Sequence, residues 1–310
     1  MTDKAPSSLA DTEEGFAHKP RSQWWDVWDQ FKSHKGALFG GGFFVLITIG
    51  VLLGPWLWTI EATFIDIRAR NQGMSLAHPF GTDQLGRDML ARMIAGGRVS
   101  LAVGFTAMFL ALFLGTLIGV LAGFYKRIDG ILMRLTDLFL SLPLLPLLLV
   151  MVMLFRQPLS NAFGPETGIF ILIVVAIGLT SWMPTARIVR GDVLALKERE
   201  FILAARSIGT SNNALMRRHI IPNVMSPIMV SATLGIANAI ITESALSFLG
   251  LGFPPDFPTW GRILFDATDY MQQYPSRVLW PGLAISLTVL GVNYLGDGLR
   301  DALDPRIRGR

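Results

Sequence analysis

Six stretches of about 20 mostly apolar residues punctuate this chain, and no other feature limits its fold so tightly. They are Leu38–Ile60, Val99–Phe124, Ile131–Phe155, Ile169–Ala186, Val224–Leu249 and Val278–Leu295. A helix of that length crosses the roughly 30 Å hydrocarbon core of a bilayer. Inside lipid every backbone amide must be satisfied within the segment, so such runs predict helices. The chain therefore reads as an all-α polytopic membrane helical bundle with six transmembrane helices. Pro281 and Asn293 leave the last stretch the least continuous. Residues 1–23 are polar and acidic, and the first apolar run is too long and too late for a cleaved signal.

Composition excludes several classes of function. Charged residues make up 16% of the chain, too few to cover a water-facing surface, since about 25% is usual. There is no cysteine, which removes disulfide scaffolds, thiolate metal sites and a cysteine nucleophile. His18, His34, His78 and His219 are scattered without metal-ligand spacing, so no metal site is expected. The net charge of +4, on a chain this apolar, points to anionic headgroups of membrane lipid and not to nucleic acid.

Lys and Arg set the orientation, because positive loops stay in the cytoplasm. With six spans, both termini share a side with the second and fourth connections. That side holds 19 of the 27 basic residues and the opposite side 8. Both termini are expected in the cytoplasm of a multi-pass membrane protein. Three segments follow: 1–37, a cytoplasmic segment with an interfacial helix; 38–298, the six-span domain; and 299–310, a cytoplasmic tail. Trp24, Trp28 and Phe31 recur at helical spacing beside Trp25, with Lys32 and Lys35 behind. The pattern fits a helix lying on the inner leaflet or a buried amphipathic helix of a cytoplasmic cap. About the first fifteen residues carry little that could form a core and are expected to be disordered.

In the second span Ala107, Ala111, Gly115, Gly119 and Gly123 repeat every four residues on one stripe. Missing side chains let a second backbone approach, which predicts helix packing within the chain or against a partner; pore lining is the competing role.

The connection 187–223 is the longest on the cytoplasmic side. Phe201, Ile202, Ala204, Ala205 and Ile208 form an apolar stripe at helical spacing. Gly209 follows where a helix end favours a left-handed residue, and Ser211 is a fair N-cap for a second helix, Asn212 to Ile221. The residues alone leave two readings open, a knob that docks a partner and a loop that stabilises the bundle.

The run Ala204–Pro222, AARSIGTSNNALMRRHIIP, resembles the coupling loop of permeases from binding-protein-dependent ABC importers. In that family the loop reads Glu-Ala-Ala, three residues, Gly, nine residues, then Ile-x-Leu-Pro. Ala204, Ala205, Gly209 and Pro222 match in register, while Leu203, His219 and Ile221 replace the Glu, Ile and Leu. The segments His78–Leu101, Arg134–Pro143, Glu243–Gly261 and Leu295–Arg306 resemble the dipeptide, oligopeptide and nickel permease branch, in order, across about residues 30–308. The second permease of a dipeptide-type system is the nearest likeness.

That resemblance implies a type I ABC importer permease fold in a bacterial inner membrane. It implies a sister permease forming a heterodimer, two cytoplasmic ABC ATPase subunits and an extracytoplasmic substrate-binding protein, serving peptide import. It also implies that Ala204, Ala205 and Gly209 seat in a groove of an ATPase, with Arg206, Arg217 and Arg218 at its acidic rim. No Gly-x-x-x-x-Gly-Lys-Ser/Thr loop occurs here, so no cofactor is expected in this chain, and ATP and magnesium belong to the partner ATPases. The chain itself is not expected to be an enzyme.

Ionisable groups within spans are costly to bury, by roughly 2.5–3.5 kcal/mol on insertion scales. Glu243 falls near the outer end of its span, where it could meet a peptide ammonium group or brace Arg262. Asn238 lies deeper and is a candidate for lining the path. Asp137 is expected to pair with Arg134 or a tail arginine. Asp297, Arg300, Asp301 and Asp304 would fix the C-terminus. In the first outer loop, Asp83–Arg87 and Asp88–Arg92 have i,i+4 spacing, as a platform for the binding protein or as an ion-paired brace. Two rival functions remain: an ion-driven secondary transporter, which would favour inverted repeats and mid-span charges, and an importer of the same family for nickel complexes or glutathione.

Overall fold

In the computed structural model, residues 23–303 are described, and the side chains of Gln23, Trp24 and Asp26 are not. The expected disorder at the start of the chain, Asp304 and the tail arginines lie outside the described residues.

Five helices are long and apolar enough to span a bilayer: α2 (Lys35–Leu57), α3 (Met89–Phe124), α5 (Leu144–Phe163), α11 (Met225–Phe248) and α13 (Ser276–Leu303). A sixth span is broken into α6 (Pro165–Ser181) and α7 (Met183–Lys197), which meet at a 40° bend. Shorter helices complete the chain: α1 (Gln23–Ser33), α4 (Lys126–Ser141), α8 (Glu200–Ser207), α9 (Asn212–Leu215), α10 (Ile221–Asn223) and α12 (Trp260–Thr268). Among the described residues there is no β-strand.

Two expected spans need correction. The third is Leu144–Phe163 and not Ile131–Phe155, because Pro143 denies the apolar run a continuous helix. Residues 131–141 belong instead to α4, whose polar and apolar sides differ strongly. The fourth begins at Pro165 and breaks at Trp182, where Pro184 opens α7 at its first turn. The connection to the fifth span is consequently shorter than 187–223, starting only after Lys197.

Helix α3 is the mast of the bundle. At 36 residues it is about 54 Å long, far beyond the hydrocarbon core, so one end projects. Asp88 caps that end by accepting the Ala91 amide at 2.7 Å. Along the shaft the small-residue stripe seats α7. A Cβ on Gly115 would stand 2.6 Å from the Trp182 carbonyl, and one on Gly119 would stand 2.7 Å from that of Ala186. On Gly123 it would meet Val193 Cβ at 2.7 Å. Ala107 and Ala111 are fully buried higher up, against Ile169, Ile173 and Ile177 and against Trp182 and Met183. The other flanks of α3 carry α6 and α11.

Helices α2 and α13 pack along each other where Gly40 and Gly291 bring their backbones together. Helix α1 lies against α13, with Phe31 near Gly298. Trp28 and Phe31 stack at 6.0 Å, Lys32 sits over the Trp28 ring, and Trp25 and Trp28 remain exposed. That amphipathic helix is therefore partly seated on the bundle and partly free. Phe39, Leu46, Phe109 and Met153 are each at least two-thirds exposed, a surface suited to lipid or to a partner helix and not to water.

Candidate functional site

At the end of the bundle that carries the C-terminus of α3, the segment 200–223 forms the two-part knob. Gly209, at φ +82°, reverses the chain after α8, a conformation that a β-carbon disfavours. Ser211 then caps α9 through the Ala214 amide. A π-helical turn, Met216–Ile220, and α10 with Pro222 lead into α11.

The apolar stripe of α8 divides between two faces. Ile202 and Ala205 point inward, into a cluster with Val120 and Phe124 of α3, Val189 and Val193 of α7, and Leu215 and Ile220. Phe201, Leu203, Ala204, Ile208 and Gly209 are exposed, Ile208 by 83%. Ala205 thus fills the knob's own base, which corrects the expectation that it seats in a partner with Ala204 and Gly209. Arg206 lies over the Phe124 ring at 5.8 Å, and Arg217, Arg218 and Pro222 are exposed.

The root of the knob is tied down by charge. Lys197 donates to the carbonyls of Gly123 and Phe124 at 3.1 and 3.0 Å, satisfying the end of α3. Arg190 grips Asp129 of α4 at 2.5 and 2.7 Å. Those hydrogen bonds hold the Asp129 carboxyl below its usual range, overcoming burial, and the charges of Arg190 and Lys197 add to the effect. Asp137 pairs with Arg187 and not with Arg134. Among the described tail residues, Asp301 lies 3.6 Å from His34, which caps α2 through the Ala37 amide.

The opposite end holds a buried ion cluster. Asp83 binds both Arg87 and Arg92 at 2.6 Å, and Asp266 of α12 accepts from Arg92 at 3.1 Å and forms an ion pair with Arg262 at 3.0 Å. Burial penalises the Asp83 charge, but Arg92 and Arg87 outweigh it and hold this carboxyl below its ordinary 3.8. Asp88 does not pair with Arg92. It accepts from the Trp58 indole at 2.9 Å and meets His78 Nδ1 at 2.8 Å, because capping α3 turns it away. The segment around residue 83 is a turn, not a helix.

Glu243 is fully buried between α3 and α11. It accepts from Ser100 at 3.0 Å and Ser247 at 2.7 Å and reaches neither Arg262 nor an open surface, which corrects both roles expected of it. Ser100 extends the network by accepting the Trp260 amide at 3.2 Å. The capping roles of Asp88 and Thr259, and α12 itself, were missed from sequence, although Asp before an apolar run and Thr259 before Trp260 are ordinary N-cap signals.

Both breaks in the helices border one cleft of about 480 Å³. The α4–α5 elbow contributes Leu142, the α6–α7 break contributes Ser181 and Pro184, and α11 contributes Ser231, Asn238 and Thr242. Interrupted helices at membrane depth are tolerated where they line such a cavity, since the freed backbone groups need polar surroundings. Asn238 is exposed toward it, while Glu243, about one turn further, is turned into the core.

Broken spans around an open cleft, with an apolar knob at one end, define a class: a multi-pass membrane subunit built for transport. Residues 111–309 match the family of binding-protein-dependent transport system inner membrane components, and residues 22–76 match the N-terminal TM domain of oligopeptide transport permease C. The chain belongs to the first of these families.

The chain is 40% identical to the dipeptide transport system permease protein DppC of Alkalihalophilus pseudofirmus, covering 93% of this chain and 91% of that one. Identity is 37% with the oligopeptide transport system permease protein OppC of Bacillus subtilis, over 99% and 97%. With the glutathione transport system permease protein GsiD of Escherichia coli it is 38%, over 93% and 92%. The fold matches an inward-facing MetNI methionine ABC transporter chain with a TM-score of 0.55 at 19% identity, over 70% of this chain and 97% of that one. The type I importer permease fold expected from the coupling loop is the one observed.

Proposed function

We propose that this chain forms, with a sister permease, the path by which a bacterial ABC importer carries di- and oligopeptides across the inner membrane. The observation that carries the reading is the divided knob. Ile202 and Ala205 are locked into the cluster that holds α3, α7 and the start of α11, while Phe201, Ala204, Ile208 and Gly209 are free to be gripped. A partner that seizes the exposed face moves the spans with it, because a packed core transmits displacement instead of absorbing it.

Two ATPase subunits, which would hold ATP and magnesium, dock on the knob in this reading, and an extracytoplasmic binding protein delivers the cargo. The knob and both termini then lie in the cytoplasm, and this chain catalyses no reaction itself. Residues 38–298 act as the permease unit, flanked by the segments 1–37 and 299–310. Ala204, Gly209, Arg206 and Arg218 form the docking face, and Asn238 lines the path.

The cleft walls support ATP-driven over ion-driven transport: they are mainly apolar with a few hydroxyl and amide groups, and among the described residues there no ionisable one lines them. Glutathione is the second cargo to consider, favoured by the 38% identity to a glutathione permease, and a tripeptide suits the same walls.

Mass spectrometry of what co-purifies with the tagged chain after mild detergent extraction tests the reading. A sister permease and ATPase subunits are expected, with hydrolysis stimulated by a peptide-loaded binding protein. A chain that purifies alone and moves solute down an ion gradient overturns it.

A further inference from the structure

A groove of about 560 Å³ runs down the outer side of α3 and under the knob, on the face opposite the small-residue stripe. Its walls are Phe109, Phe113 and Leu117 of α3 facing Ile221, Met225 and Ile228, and its floor includes Thr116. It ends at the knob on Arg217 and Asn213. From Phe109 to Leu121 it covers about 18 Å of helix, a little more than one leaflet of hydrocarbon. The volume lies within the range of built small-molecule sites.

The two ends differ in chemistry, and that difference selects the occupant. Apart from the Thr116 hydroxyl the groove along α3 is apolar, and its knob end presents a guanidinium that pairs with no carboxylate among the described residues. An apolar helix of another subunit would fill the walls but leave that charge unanswered. A lone anion would answer the charge but leave the walls empty. An amphiphile with an anionic head and an acyl tail satisfies both.

The backbone is shaped to this end. Asn213, Arg217, Ile221 and Met225 follow one another at four-residue spacing. In a regular α-helix each such step drifts by about 40°, since 3.6 residues complete a turn. The wider π turn Met216–Ile220 interrupts that drift between Arg217 and Ile221, and all four residues line the groove.

We propose that this groove binds an anionic phospholipid of the knob-side leaflet, its tail along Phe109–Leu117 and its phosphate on Arg217. The lipid then sits between α3 and the root of the knob and couples membrane composition to the knob's seating. This reassigns Arg217 from partner docking to lipid. The inference depends on which residues face the bilayer and not on the transported cargo.

The test uses the full complex in nanodiscs of phosphatidylethanolamine and phosphatidylglycerol at 3:1, with retained lipid read by native mass spectrometry after detergent challenge. Phosphatidylglycerol is expected to be retained over phosphatidylethanolamine. Arg217→Gln, at an exposed position, should lower its retention about fivefold, in line with one basic residue near an anionic surface. Thr116→Phe, which obstructs the groove without touching the charge, should also abolish it. Equal retention of both lipids overturns the proposal. So does a photoreactive group at Leu117 that cross-links to a permease subunit instead of lipid, which would make the groove a subunit interface. Neither result bears on peptide import.

Discussion

Lys197 of α7 donates to the main-chain carbonyl of Phe124, the last residue of α3, at 3.0 Å. One ammonium group thereby joins the two helices whose small-residue seam runs the length of the bundle, at the point where the knob begins. It also satisfies carbonyls that the end of a helix leaves open.

Lys197→Met should loosen this joint. A charge-assisted hydrogen bond at a half-buried site contributes about 1–2 kcal/mol, so thermal unfolding in detergent should shift by that much. The expected signature is uncoupling: the complex continues to hydrolyse ATP while peptide uptake falls. Uptake and hydrolysis measured on one preparation would reveal it, and an unchanged ratio would count against a mechanical role for the joint.

The seam itself has no room. A Cβ on Gly119 would stand 2.7 Å from the Ala186 carbonyl and 2.8 Å from Val189 Cβ. Gly119→Val should therefore force α3 and α7 apart and cost about 1–3 kcal/mol, as overpacking does in cores. Gly130→Val, at a position where a Cβ meets nothing within 4 Å, serves as the control for residue type. Thermal unfolding of the two variants should differ by that margin.

Glu243 is expected to hold the bundle and not the cargo. Glu243→Gln keeps one acceptor oxygen and turns the other into an amide donor that a serine hydroxyl can accept from, and should leave the apparent KM for peptide unchanged. Glu243→Leu strands both hydroxyls and should lower stability by about 1–3 kcal/mol. A raised KM in the Gln variant at full stability would return this residue to the pathway.

The ion cluster around Asp83 gives a pH dependence of known sign. Its folded value lies below the ordinary 3.8, so its stabilisation is fully present above 3.8 and is lost as pH falls through the lower folded value. The protection factors of the 80–92 segment, exchange rates corrected for the intrinsic pH dependence of amide exchange, should thus stay flat from pH 7 to about 4 and fall only in stronger acid. In Asp83→Asn, which leaves Arg87 and Arg92 partly unpaired, the segment should exchange faster at neutral pH, with that acid step gone.

What was legible in the sequence follows from how local each signal is. The positions of α2, α11 and α13 lie in their own apolar runs, and the α3–α7 seam announces itself in the four-residue repeat ending at Gly123. The two-part knob was legible because Gly209 and Ser211 are local punctuation. The third and fourth spans were misplaced because hydropathy ignores interruptions: Leu142 and Trp182 are apolar, yet Pro143 and Pro184 start new helices beside them. Glu243 was unreadable for a different reason. One of its partners, Ser100, is 143 residues away, and nothing in the pattern around either residue points to the other. The two faces of α8 were equally hidden, since an apolar stripe gives no indication that Ala205 packs inward and Ala204 outward.

The central claim is that the exposed face of the knob passes the energy of ATP to peptide movement. The most direct test is uptake of a labelled dipeptide into proteoliposomes holding the purified complex, comparing wild type, Gly209→Ala and Gly209→Arg. Gly209 sits at φ +82° in open space, so the Ala variant introduces backbone strain alone and the Arg variant adds bulk at the docking face. The account predicts uptake that requires both ATP and the binding protein, a partial loss with Ala, and with Arg a complex that stays in the membrane but no longer imports. Full uptake by Gly209→Arg, or uptake driven by an ion gradient without ATP, would contradict it.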